Sequence, residues 1–142
     1  MASSVHRANE KFTRLYDRWA RGGAGLLISG NIMIDRTALG EPHNLVFEND
    51  ADLEGLKEFT RAGTQAGTHL WAQINHPGKQ SPKFLSPVPV APSAIALKPP
   101  LDRMFNRPRA LSDSEIRELI IRYGRAAVSR TVCGLQPRCI KK

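Results

Sequence analysis

Apolar residues early in the chain recur at helical spacing: Phe12, Leu15, Tyr16 and Trp19 stand at i, i+3, i+4 and i+7, on one face of a helix over residues 7–21. Gly22 and Gly23 end that helix. The period then changes. Leu26, Leu27 and Ile28 form an apolar run that resumes after Ser29-Gly30-Asn31 as Ile32-Met33-Ile34, and such a run bounded by Gly predicts a strand buried on both faces. Asn49 or Asp50 as cap, an acidic first turn, and Leu53, Leu56 and Phe59 on one side predict a second helix, with Gly67 as its stop. His69 to Ile74 reads as a second strand, which ends at the turn Asn75-His76-Pro77-Gly78. Strand, helix, strand at this spacing predicts a βαβ unit: adjacent parallel strands over 26–34 and 69–74, with a helix over 51–66 packed across them.

Residues 79–109 hold Pro87, Pro89, Pro92, Pro99, Pro100 and Pro108, which excludes a long helix and predicts an extended loop of the kind that covers a site. A third helix opens at Ser112-Asp113-Ser114-Glu115, a capping box in which Ser112 and Glu115 satisfy each other's backbone N–H groups. Its inward stripe is Ile116, Leu119, Ile120, Tyr123 and Ala127. An α/β pattern then calls for another strand, but Pro137 would interrupt any central strand in the segment that follows.

Composition narrows the function. The 142 residues suit one domain or a piece of one, and 41% hydrophobic with 24% charged residues is the profile of a chain that buries a core. A net charge of +8 invites a nucleic-acid reading, yet the basic residues run from Arg7 to Lys142, and the densest stretch, from Arg117 onward, has no aromatic residues placed to stack bases. A solvated face accounts for it, and neither nucleic acid nor a membrane is expected as partner. Cys133 and Cys139 lie in the last ten residues, where a disulfide would staple only the tail, so a reducing, cytoplasmic setting is the simplest. No apolar run approaches the ~20 residues that span a bilayer, and Glu10 and Asp17 argue against a transit peptide.

Among motifs, Gly22-Gly23-Ala24-Gly25 ends a helix and enters a strand, the reverse of a phosphate-cradling loop. The four histidines show neither an i, i+4 pair on a helix nor a Cys cluster, so no metal site is expected. Position carries more. In a parallel βα barrel, functional residues gather at the carboxyl ends of strands, which selects Ser29, Gly30 and Asn31 on one strand and Gln73, Asn75 and His76 on the next. The Gln73 amide donates and accepts at once and suits a heterocycle whose edge alternates C=O and N–H; it equally suits nearby backbone.

Five segments in order, Gly25-Leu26-Leu27-Ile28-Ser29-Gly30-Asn31, Gly40-Glu41-Pro42, Leu70 to Pro82, Val90-Ala91-Pro92-Ser93 and Pro108-Arg109-Ala110-Leu111-Ser112, resemble the NADH:flavin oxidoreductases related to old yellow enzyme. Match and spacing hold from about Phe12 to about Val128. The resemblance implies an α/β fold, an eight-stranded (β/α)8 TIM barrel that holds FMN at its carboxyl end, takes reducing equivalents from NAD(P)H and passes them to a small-molecule activated alkene such as an enone. It also implies that Ser29, Gly30 and Asn31 lie beside the flavin's reactive edge, that Gln73 hydrogen-bonds its pyrimidine part, and that residues 79–109 cap the mouth.

Departures bound the expectation. The strand before the first helix is missing, and after Val128 the sequence leaves the pattern, without the fourth-strand His-x-x-His or His-x-x-Asn that anchors a substrate carbonyl, so no catalytic residue is assigned. A βα barrel needs about 250 residues. The expected organisation is therefore an amino-terminal barrel part over 1–128 with two parallel strands, then a divergent tail over 129–142 from truncation or a frameshift, inactive alone. The alternative is a small basic α/β interaction module without enzymatic activity. Oligomeric state is left open by the sequence.

Overall fold

The first helix, α1 (Glu10–Arg21), starts where Asn9 accepts the N–H of Phe12 at 2.9 Å and stops where the Gly22 N–H returns to the Arg18 carbonyl. Its contact line is Phe12, Tyr16 and Ala20, one residue per turn at i, i+4 and i+8. Leu15 and Trp19, expected on the same face, occupy the neighbouring ridge and stay exposed. The computed structural model describes residues 6–49, 53–132 and 136–139; the predicted cap at Asp50 lies outside them.

Strands β1 (Leu26–Met33), β2 (Leu45–Val46), β3 (His69–Asn75) and β6 (Gln136–Cys139) form one parallel sheet in the order β2-β1-β3-β6. Helix α2 (Leu53–Gly63) links β2 to β3, followed by a short 3-10 turn whose Gly67 has φ +77°, a conformation that favours glycine. The predicted adjacent parallel pair is the centre of this sheet, with Leu26 opposite His69 and Met33 opposite Asn75.

One face of the sheet meets the helices. Ile32, Ile34, Leu70, Ala72 and Ile74 pack there against Tyr16, Leu56 and Phe59. Phe59 is fully buried, and its ring lies 4.9 Å from Phe12 and 4.7 Å edge-on from Tyr16, spacings at which aromatic pairs add about 0.5–1.5 kcal/mol beyond area burial. The opposite face differs from expectation: the apolar run predicted burial on both sides, yet Leu26 is 43% and Ile28 51% exposed, because no described helix covers them. At the carboxyl end of that face Met33 is closed over by Leu39, Val46 and Leu85.

Residues 79–109 are ordered around a second small sheet. Its strands β4 (Val90–Ala91) and β5 (Arg109–Ala110) pair in parallel, and Pro82 bridges Phe105. Helix α3 (Asp113–Val132) opens on the predicted capping box: the Ser112 N–H donates to Glu115 at 2.8 Å, and the Glu115 N–H to the Ser112 hydroxyl at 3.3 Å. Arg109 adds a two-pronged pair to the Glu115 carboxylate at 2.7 and 2.9 Å.

Two expectations for this region are corrected. Ile120 is 64% exposed rather than inward, because the contact line runs through Leu119, Tyr123, Ala126 and Ala127, and Ile120 lies about 100° around the helix from Leu119. A strand does follow α3: β6 pairs with β3, Ala72 opposite Pro137. Proline is tolerated because β6 is an edge strand, which keeps one side of its backbone outside the ladder.

The core makes Phe59→Ala the most costly single truncation of α2, with an expected loss of about 3–5 kcal/mol, read as a drop in denaturation midpoint. The cap makes a pH prediction. Arg109, then Ser112, hold the Glu115 carboxyl down to about 2. A carboxyl lowered in the folded state contributes above its unfolded pKa of about 4.3 and loses that contribution as pH falls toward about 2. Carbon-detected NMR titration should place the Glu115 midpoint near the lower value, and Arg109→Ala should move it upward.

Candidate cofactor-binding site

Alternation along β1 changes phase midway. Leu27 packs toward the helices, and so do Ile32 and Ile34: odd numbers before the change, even numbers after it. Pairing locates the change. Ile28 stands opposite Trp71 and Asn31 opposite Gln73, so Ser29 and Gly30 together face Ala72 alone. This is a β-bulge, two residues against one. Because side chains alternate with a period of two, the extra residue turns every later side chain to the other face. If the same residues ran as a regular strand with no bulge, Asn31 would point at the helices and Ile32 would point away.

The interrupted ladder is repaired by side chains. The Ser29 hydroxyl accepts the Gln73 N–H at 2.9 Å and donates to the Gly30 carbonyl at 2.8 Å. Tyr16, reaching from α1, accepts the Gly30 N–H on its hydroxyl at 3.1 Å. Burial raises the Tyr16 phenol above its ordinary pKa, against the opposing pull of the Gly30 N–H.

The four residues expected to hold a cofactor thus divide. Ser29 is 3% exposed, and its hydroxyl is engaged within the sheet. Gly30 is exposed, and a Cβ added there would meet nothing within 4 Å, which leaves room for a planar group against the backbone. Asn31 and Gln73 are side by side on the open face, the Gln73 Nε2 donating to the Asn31 Oδ1. Among the described residues the Gln73 Oε1 and the Asn31 Nδ2 have no further partner, so the pair presents an acceptor next to a donor. Toward the amino end the same face is apolar, with Ile28 opposite Trp71. The amide pair therefore crowns an apolar wall at the carboxyl end of the strands.

His76 and Asp35, just past β3 and β1, line a separate cavity of about 220 Å³ beneath the capping segment. Arg122 of α3 bonds Asp35 at 2.9 Å and Glu118 at 3.2 Å. Burial alone would raise the Asp35 carboxyl, but the Thr37 hydroxyl and N–H, Arg122 and His76 together hold it below the usual range. Burial also lowers His76, opposed by Asp35 and assisted by Arg122. Its Nδ1 accepts the Gly78 N–H at 3.1 Å, which puts the proton of the neutral ring on Nε2. Sequence reasoning found His76 but missed Asp35, Arg122 and Tyr16. A Gly inside a strand pattern was the one available sign of the bulge; nothing local in the sequence pairs Arg122 with a residue 87 positions away.

Similarity to known proteins agrees with this geometry. The NADH:flavin oxidoreductase / NADH oxidase family pattern matches residues 3–136. An NADH-dependent flavin oxidoreductase from Hypocrea jecorina is 33% identical over 142 aligned residues, covering 82% of this chain and 33% of that protein. An NADH oxidase from Thermoanaerobacter brockii is 29% identical, covering 90% of this chain and 20% of that protein. The old yellow enzyme homologue from Zymomonas mobilis superposes with a TM-score of 0.82 at 30% identity, over 97% of this chain and 40% of that one. Morphinone reductase in complex with tetrahydroNAD gives 0.83 at 25%, over 96% and 41%. The chain spans a third or less of the length of these two curated relatives, and its open parallel sheet is part of a TIM barrel of the old yellow enzyme kind. On the extent of the matched pattern, the chain belongs to the NADH:flavin oxidoreductase / NADH oxidase family.

Proposed function

We propose that this chain supplies the flavin-orienting wall of an FMN-dependent oxidoreductase that draws on NADH or NADPH and reduces activated alkenes such as enones. One observation carries the reading: the Asn31–Gln73 amide pair, with an acceptor and a donor unused among the described residues, on an open face above apolar residues and beside a glycine with free space before it. That arrangement fits the edge of a planar heterocycle bearing C=O and N–H groups. FMN bound there would supply the capacity to accept a hydride and pass it on.

The chain's own residues do the orienting. Gln73 and Asn31 hydrogen-bond the ring's polar edge, while the backbone at Gly30 allows close approach. Ser29 acts from within the sheet, by holding the Gln73 backbone. Ile28 and Trp71 keep the lower face dry, which strengthens polar contacts above them. Residues 1–128 carry this wall. A cytoplasmic setting accords with this reading, and among the described residues no helix is long and apolar enough to cross a membrane.

The test is a fluorescence-quenching titration of the chain with FMN, run beside Gln73→Leu. Leucine leaves the flavin edge and the Asn31 oxygen unsatisfied, at a cost of about 1–3 kcal/mol, so affinity should weaken roughly tenfold. Equal affinity in the two proteins would remove Gln73 from the site.

A further inference from the structure

The bulge in β1 is the one irregularity in the central strand pair, and the group that caps it comes from outside the sheet. Tyr16 is 4% exposed, and its ring is fixed on three sides: Phe12 at 5.0 Å, Phe59 at 4.7 Å edge-on and Trp19 at 5.0 Å. Only the hydroxyl extends beyond this cluster, to the Gly30 N–H. Gly30 has no register partner on β3, so a buried acceptor at that spot decides whether the extra residue is held in place or slides. One position further along, Asn31 meets Gln73.

We propose that Tyr16 is a positioning residue for the cofactor face: its hydroxyl pins the Gly30 N–H, and the pinned bulge sets the phase that brings Asn31 opposite Gln73. The flavin part of this inference rests on the function proposed above; the phase part does not. Tyr16 touches neither amide and lies on the helix side of the sheet, so its effect on the open face passes through one backbone N–H. Ser29 completes the clamp from within the strand by taking the Gln73 N–H, which keeps β3 in register while β1 carries its extra residue.

The experiment is NMR and FMN titration of the full chain as Tyr16→Phe, which keeps the ring and removes the oxygen. Exchange of the Gly30 amide should accelerate roughly tenfold or more, and the side-chain amide signals of Asn31 and Gln73 should shift, while amides at Leu56 and Phe59 keep their protection. FMN affinity should fall severalfold. Phe12→Leu loosens the same aromatic cluster with the hydroxyl intact; it should leave the Gly30 exchange and the two amide signals in place. The proposal is overturned if Tyr16→Phe leaves those signals and the Gly30 exchange unchanged, or if Phe12→Leu reproduces the selective change. The unaltered chain gives a test independent of any variant: a Gly30 amide that exchanges as fast as an exposed loop amide also overturns it. Shifted amides with FMN affinity equal in variant and parent would keep the phase role and remove the flavin reading, so the two failures are told apart.

Discussion

The burial of Phe59 against Phe12 and Tyr16 is the contact on which the rest of the sheet depends. It joins α1 and α2 to each other and both to the helix-facing side of β1 and β3, so the orientation of every strand residue is fixed from behind. A parallel pair with a strongly buried back has its register specified, since a one-residue slip would move Ile32, Leu70 and Ile74 out of the core together. Polar groups on the front face can then be arranged without contributing to stability, as a site for a ligand requires.

Against that constraint the β1 bulge is a local exception with a structural cost. It leaves a backbone N–H and the Gln73 N–H without regular strand partners, and each is met by a hydroxyl: Tyr16 from α1 and Ser29 from the strand itself. The carboxyl end is tied down separately. Arg122 links α3 to Asp35 after β1, and His76 sits next to that pair after β3, so the third helix is coupled to the ends of the same two strands. The half-buried ion pair orients more than it stabilises.

Much of this was legible in the sequence for a simple reason: periodicity reports burial on the side where burial is strongest. Leu53, Leu56 and Phe59 announced α2, and Ser112 with Glu115 announced the start of α3, because those signals are local. Gln73 and Asn31 are selected by their place at strand ends, and the register sets them opposite one another. What stayed hidden depends on tertiary partners. The inward side of α3 is not legible at Ile120 because Leu119, Ile120 and Ile121 are consecutive apolar residues about 100° apart around the helix, and the sequence does not say which of them faces the core. β6 was hidden because proline is excluded from central strands, whereas its place at a sheet edge is a property of the assembled sheet. The role of Ser29 as a ladder substitute, and of Tyr16 as its complement, requires knowing which residues lack register partners.

The two-to-one match at Ser29 and Gly30 has a consequence for how this part of the chain tolerates change in length. Substitutions in a strand alter one side chain, but its two faces obey a parity rule, and β1 has the odd residue built in at one place. A lineage that lost a single residue at the bulge would run as a regular strand with Asn31 still opposite Gln73 and Ile32 still inward, whereas a paired loss would turn the amide toward the aromatic cluster and send Ile32 outward. Length variation in β1 should therefore be confined to the single bulge residue, and larger changes should concentrate in the segment between β3 and α3, where no alternation is at stake.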